Sequence, residues 1–355
     1  MPSGKKILWK QIDSEKIEVS VDKNSARGGN AKPIIIKRFI EINEDLFQLL
    51  GLWFGDGIRK QWGRENVFGF SNTEIELTKT FLSLSKICLS IPSEQYNCIL
   101  SLQLSLKDVD EELNSKISRE LNIPLENFWR SRINPTRNLL GIDVKINSRL
   151  LGFIMTNLSS QTIKLAIGNK SYASRVLQGI IASEANVSVR KEGRLGEISI
   201  AAEGENKRNF IRSLLLTLGI KPNKDKTIEN QESVCLTGLS NFKIVKEWGL
   251  VDLNPTKLKN FEKGLNGFKV EQSRKGELRL KVLQLLAKKS RTRQELGKLL
   301  ERSPATIKTE ALYILEKQGL VEREGIINKA RLWKITEKGL NLLRENRALE
   351  KLRSR

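Results

Sequence analysis

Two stretches of the chain carry apolar residues at helical spacing, and each repeats a small residue one turn apart on one face. In EDLFQLLGLWFGDG, from Glu44, the small pair is Gly51 and Gly55; in ASRVLQGIIASEA, from Ala173, it is Gly179 and Ser183. Small residues four apart let two helix backbones approach closely, so these faces are expected to pack against a partner helix. Each predicted helix ends in a carboxylate five residues after its first glycine, Asp56 and Glu184. After Glu184, Val187 and Val189 alternate with polar residues, as do Ile198 and Ile200 beyond a Gly-containing turn, which predicts a hairpin with one wet face. The same plan follows Asp56 less cleanly, with Ile58–Trp62 and Val67–Ser71 flanking a turn, and Thr73 to Glu76 reads as a capping box opening the next helix. Leu100, Leu102, Leu104 and Leu106, and then Ile142, Val144 and Ile146, also alternate with polar residues and predict half-buried strands. Ser233–Thr237 predicts a strand and Asn241–Trp248 a helix, so two similar units run through residues 33–160 and 161–268. The first is longer, with an insertion between about Asp108 and Asn138.

Residues 1–32 read as a leader and the Lys-rich residues 269–275 as a linker. In residues 276–355, Glu277–Lys289 is amphipathic, Thr292 to Glu295 is a capping box, and Ser303–Pro304 has the chemistry of an N-cap and first helical residue. Leu320–Glu324 and Ala330–Ile335 then predict a hairpin, followed by a basic helix from Thr336. Three helices and a hairpin are the elements of a winged helix-turn-helix, whose recognition helix would present Thr306, Lys308 and Thr309 and whose wing would carry Lys329 and Arg331.

Charge turns this pattern toward a polyanionic partner. The formal net charge is +21, and Arg274–Arg355 carries roughly +12 of it. The 355 residues contain no histidine, which removes Ser-His and Cys-His nucleophile pairs and His-ligated zinc. Chemistry must then rest on carboxylates, lysines and a hard cation. Cys88, Cys98 and Cys235 have no metal or disulfide spacing and fit a reducing cytoplasm. No apolar run is long enough for a membrane span.

The segments LLGLWFGDG and LQGIIASEA resemble the paired motifs of the LAGLIDADG homing endonucleases. The first matches at Leu49, Gly51, Leu52, Asp56 and Gly57; the second keeps Leu177, Gly179 and Glu184 but has Ala185 where the family has glycine. With the segment LTGLSNFKIVKEWGLVDLNPTKLKNFEKGL, which is similar to the end of a family half-domain, the resemblance covers about Pro33 to Phe268. It implies an α+β fold of two pseudo-symmetric αββαββα half-domains forming a DNA-binding saddle, to which the C-terminal winged helix is added. It also implies a monomer that binds double-stranded DNA and cuts both strands, one acid per strand, with Asp56 and Glu184 holding Mg²⁺. The family places a basic residue near each centre; Lys164 and Lys259, in the segments following the last helix of each half, are the candidates. On the sheets, Arg59, Lys60, Ser101, Gln103, Lys145, Ser188, Arg190 and Ser199 are candidate DNA contacts. Intron-encoded or free-standing homing endonuclease is the first expectation. A domesticated, non-cleaving transcriptional regulator, similar to sporulation regulators that join a degenerate copy of this fold to a helix-turn-helix, is the alternative, and an intron RNA maturase a further one.

Overall fold

Strands β1 (Ile7–Gln11), β2 (Lys16–Val21) and β3 (Ile34–Lys37) pair antiparallel in that order. Ile17, Val19 and Val21 alternate with polar residues along β2, and Val19 joins Ile34 and Ile36 in the core. The stretch expected to be a leader therefore supplies two strands of a sheet, and its period-two alternation is the signal for them. The computed structural model describes residues 6–22, 33–61, 64–102, 110–133, 140–223, 226–228, 231–268, 276–327 and 330–353 of this mixed α+β protein. Two compact units divide the chain, Met1–Phe268 and Lys269–Arg355.

In the first unit, helix α1 (Glu44–Asp56) opens on Asn43, whose side chain accepts from the Leu46 amide, and has Glu44 and Asp45 in its first turn, where the helix dipole favours anions. Then come β4 (Gly57–Gln61), β5 (Arg64–Asn72), α2 (Ile75–Leu89), β6 (Asn97–Leu102), α3 (Asp110–Leu121), β7 (Phe128–Ile133), β8 (Gly141–Ile146) and α4 (Arg149–Thr162). The expected capping box at Thr73 is absent: Glu74 holds the cap position of α2 without a side-chain bond, and its own amide donates to the Asn72 side chain. A second series follows: α5 (Lys170–Glu184), β9 (Ala185–Val189), β10 (Leu195–Ala201), α6 (Glu205–Thr217), β11 (Lys226–Ile228), β12 (Gln231–Leu236), α7 (Leu239–Glu247) and α8 (Pro255–Asn266).

One sheet runs β4-β5-β8-β6-β7 and the other β9-β10-β12-β11. Each starts with the hairpin that follows an acid and continues with the last strand and then the third. The first sheet has one extra outer strand, β7, which comes with α3 from the expected insertion and pairs parallel to β6. Both sheets turn apolar residues such as Phe68, Phe70, Val144, Ile198, Ile200 and Val234 into one continuous core with the helices.

The second unit has its own core, centred on Val282, Leu296, Ile307, Leu312 and Trp333. Its elements are α9 (Glu277–Leu286), β13 (Arg291–Thr292), α10 (Arg293–Leu299), and then α11 (Pro304–Thr306), which runs through a π-helical stretch, Ile307–Leu312, into α12 (Tyr313–Lys317). The hairpin of β14 (Val321–Ile327) and β15 (Ala330–Ile335) joins β13 in the order β13-β15-β14, and α13 (Glu337–Arg353) ends the unit. The capping box at α10 is complete, with Thr292 accepting from the Glu295 amide and Glu295 accepting in return. Thr292 is buried, so Thr292→Ala is expected to destabilise this unit by about 1 kcal/mol. A urea titration of residues 269–355 checks this, and an unchanged midpoint would reject it.

Candidate functional site

The site starts with the meeting of α1 and α5. A Cβ built on Gly51 would lie 2.4 Å from the Val176 carbonyl oxygen, and one on Gly179 would lie 2.3 Å from the Leu52 nitrogen. Backbone therefore rests on backbone. One turn on, Gly55 faces Ser183, whose Cβ would be 2.5 Å from an added methyl. Polar pairs pin the same interface nearer its other end: Arg175 holds Glu44 at 2.8 Å, Ser171 also donates to Glu44, and Gln48 donates to Gln178 at 2.9 Å.

Asp56 and Glu184 are each the last residue of their helix, so both carboxylates emerge at the same end of this contact. The turn after each acid is extended. In the first half it needs glycine, because a Cβ on Gly57 would sit 2.1 Å from the Trp53 carbonyl oxygen. Ala185 tolerates a side chain at the matching place, at φ −88 and ψ 148. Burial pushes the Asp56 carboxyl up to about 6, and the Glu184 charge adds to that; the Asn72 hydrogen bond and the charges of Lys257 and Lys207 pull the other way.

Asn72 donates to Asp56 at 2.6 Å, and Lys207 of α6 pairs with Glu184 at 2.9 Å. Lys257 of α8 points its ammonium at the end of α5, donating to the carbonyls of Ile181, Ala182 and Ser183 at 3.0, 2.6 and 3.1 Å. Burial pulls Lys257 down to about 8 against the opposing influence of Asp56, Glu184 and Glu74. Glu74 in turn accepts from Thr256 at 2.8 Å.

The basic residues at this centre are therefore Lys207 and Lys257, in place of the expected Lys164 and Lys259. Lys259 is exposed on α8 two residues from Lys257, and residues two apart on a helix do not share a face. Lys164 is exposed in the 3-10 turn Ile163–Ala166. The expectation reaches the right segment for Lys257 and misses the register. The available signal is Asn254–Pro255, whose cap fixes Lys257 as the third helical residue; the Asn254 side chain accepts from the Lys257 amide.

Of the strand residues expected to meet a partner, Ser188 and Arg190 are exposed and Ser199 is half-buried, on the hairpin β9–β10 and the turn after β9. Ser101 and Lys145 are instead buried, at 8% and 4% exposure, and Lys145 lies with its ammonium 5.1 Å from the centre of the Trp129 ring. Neither presents an open surface, and at Lys145 the reason is that strand β7 brings the Trp129 ring to its ammonium. Arg59 and Lys60 lie in β4 by backbone. Gln103 and Lys329 lie outside the described residues. In the second unit Lys308, Thr309 and Arg331 are exposed, while Thr306 is half-buried and its hydroxyl contacts Ser303 at 2.8 Å.

The donors at the acid pair suit a hard divalent cation. They are all oxygen, and the Glu184 charge still raises Asp56 in the presence of two lysines. The Ser183 hydroxyl, next to Glu184, is buried with no hydrogen-bond partner among the described residues. Described residues include no cluster of three or more potential metal-ligating side chains, so solvent or substrate oxygens would complete any shell. Among them, too, no helix is long and apolar enough to cross a membrane. Cys88, Cys98 and Cys235 are buried free thiols.

No protein-family model matches the chain, and neither does any curated protein. Solved structures do. I-DmoI in complex with DNA and Ca is similar at 14% identity and a TM-score of 0.33, over 62% of this chain and 96% of that one. Full-length DUF199/WhiA from Thermatoga maritima is similar at 12% identity and a TM-score of 0.40, over 79% and 93%. The N-terminal LAGLIDADG domain of DUF199/WhiA has 11% identity and a TM-score of 0.35, over 59% and 83%.

Proposed function

We propose that the protein is a double-stranded DNA endonuclease of the LAGLIDADG type, with residues 33–160 and 161–268 as half-domains and residues 276–355 as a winged helix-turn-helix that adds DNA affinity. The observation that carries this reading is the backbone contact of α1 and α5, which delivers Asp56 and Glu184 to one partly buried cluster. Nothing in core packing requires two acids there. A buried carboxylate whose proton affinity a second carboxylate raises is costly to ionise unless a cation or phosphate chemistry uses the pair. Asp56 and Glu184 would hold Mg²⁺, which when bound supplies a Lewis acid and an activated water for phosphodiester hydrolysis. The chain's own part is to fix the two carboxylates at adjacent helix ends, to orient Asp56 through Asn72, and to hold Lys207 on Glu184 where a scissile phosphate would recruit it. Ser188, Arg190 and Ser199 on the second sheet, and Lys308, Thr309 and Arg331 in the tail, would contact DNA.

A second reading, a non-cleaving DNA-binding regulator, draws on the ion pair between Lys207 and Glu184, which occupies one acid, and on Ala185 in place of glycine. Both readings require sequence-selective DNA binding. Selection of bound duplexes from a randomised library is therefore expected to enrich a single site, and failure to enrich any site would overturn both. The tail's share is expected to be backbone affinity. Removing residues 269–355 should flatten the dependence of log K on log salt, because each phosphate that the protein no longer neutralises takes about 0.9 from the slope. An unchanged slope would contradict that role.

A further inference from the structure

Strands β1 and β2 precede the stretch that resembles the LAGLIDADG proteins, and the acid pair makes no use of them. β1 is an outer strand of its sheet, and four of its five residues are exposed. Trp9, at its centre, is 65% exposed. Proteins usually guard such an edge with charge, proline, a bulge or a short strand. The outer strand β14 follows that practice, with Glu322, Arg323 and Glu324 and a break in register, and β11 is cut to three residues. β1 has no proline and a single charge, Lys10, and its register runs unbroken from Ile7 opposite Val21 to Gln11 opposite Ile17.

The ladder shows which backbone groups of β1 face away from β2. The Asp22 amide donates to the Lys6 carbonyl at 2.9 Å, and the Ile12 amide donates to the Lys16 carbonyl at 3.0 Å. Hydrogen-bonded pairs alternate along an antiparallel ladder, so Leu8 and Lys10 also bond inward. Ile7, Trp9 and Gln11 therefore turn their amides and carbonyls to the open edge, where no described strand receives them.

Those three residues match a second copy of themselves. When two β1 strands lie antiparallel about Trp9, Ile7 faces Gln11 of the second copy and Trp9 faces Trp9, and these outward groups form up to about six hydrogen bonds. Leu8 then lies opposite Lys10, whose aliphatic stem can cover it while the ammonium stays in water. The smallest slide that keeps the bonds is two residues. In one direction it sets Lys10 opposite Lys10, and in the other it sets Lys6 opposite Lys10; like charges directly opposed destabilise a strand pair. Only the register about Trp9 avoids both, and it adds an aromatic cross-strand pair. An unrelated strand would have to bring its own match, whereas a second β1 supplies it by symmetry.

We propose that β1 is a dimerisation strand, pairing antiparallel about Trp9 with β1 of a second copy so that two three-stranded sheets become one. This departs from the monomer that the family resemblance implies, and it does not depend on what Asp56 and Glu184 do. The test is sedimentation velocity of the full chain without DNA, from low to high micromolar concentration, on wild type, Trp9→Pro, Trp9→Lys and Ile35→Lys. Proline at position 9 removes an outward amide and no bond to β2, and lysine opposes its own copy across the edge. Ile35 lies exposed on β3, away from that edge, and is the control.

Wild type and Ile35→Lys are expected to pass from one to two copies of the 40.4 kDa chain as concentration rises. Both Trp9 variants should associate at least about tenfold more weakly, with far-UV circular dichroism unchanged. Should the proline variant fail to fold, Trp9→Lys carries the test. A wild type that stays a single copy throughout, leaving the edge for another partner, overturns the proposal. So does a dimer that survives in Trp9→Lys, or one that Ile35→Lys weakens equally.

Discussion

At pH 7 and without divalent metal, Asp56→Asn should be more stable than the wild type, and with Mg²⁺ it should be unable to cut DNA. A carboxyl raised to about 6 in the folded chain, against 3.8 in the ordinary state, binds protons more tightly folded than unfolded. Native stability is then present in full below the unfolded value and falls as pH rises between about 4 and 6, after which the loss is constant. A carboxyl that titrates about two pH units higher in the folded chain loses about 3 kcal/mol, and roughly 2 kcal/mol is a fair expectation for a group that keeps some contact with water. Asparagine avoids this cost and can still accept from Asn72. For a unit of this size the gain is about 4–8 °C in melting temperature at pH 7, vanishing near pH 3.5. Divalent metal should raise the wild-type melting temperature and have a smaller effect on Asp56→Asn. Equal melting curves at pH 7 would mean that Asp56 is not the strained member of an acid pair.

Gly51→Ala and Gly179→Ala should strongly destabilise the first unit, although each adds only a methyl group. Helix propensity alone predicts the opposite, because alanine is better than glycine in a helix interior by about 1 kcal/mol. Here the added methyl would lie 2.4 Å from the Val176 carbonyl in one case and 2.3 Å from the Leu52 nitrogen in the other. Neither neighbour is a side-chain tip that can swing aside, so the helices must separate along their contact. Overpacking of this kind costs on the order of 3 kcal/mol after the propensity gain is subtracted. Separation also moves Asp56 and Glu184 apart, so both variants should lose cleavage before they lose DNA binding. Gly325→Ala, whose added methyl meets nothing within 4 Å, is the control and should change stability little. Urea midpoints equal to wild type in Gly51→Ala would show that the helices do not meet there.

The period of the apolar residues makes most of this legible. Gly51, Gly55, Gly179 and Ser183 stand out because small residues one turn apart have no use on a solvated face, and the two acids follow at equal spacing. The strands of the second half show in clean alternation, such as Ile198 and Ile200 with polar residues between them. Other features depend on partners far away in the chain. Lys145 alternates as an outward strand residue, yet β7, from an insertion with no such signal, brings Trp129 to its ammonium. Thr73 has capping chemistry, but α2 starts one residue later, with Glu74 in the cap position. The cations of the acid pair lie 23 and 73 residues after Glu184, at Lys207 and Lys257, and only folding brings their helices to it.

The most direct test of the acid pair's proposed role is sequencing of the ends produced when wild type and Asp56→Asn are incubated with a randomised duplex library and Mg²⁺. Staggered double-strand ends at one recurring sequence from the wild type, and none from Asp56→Asn, are the predicted result. Tight, selective binding with no ends from either protein, or the same ends from both, would contradict it.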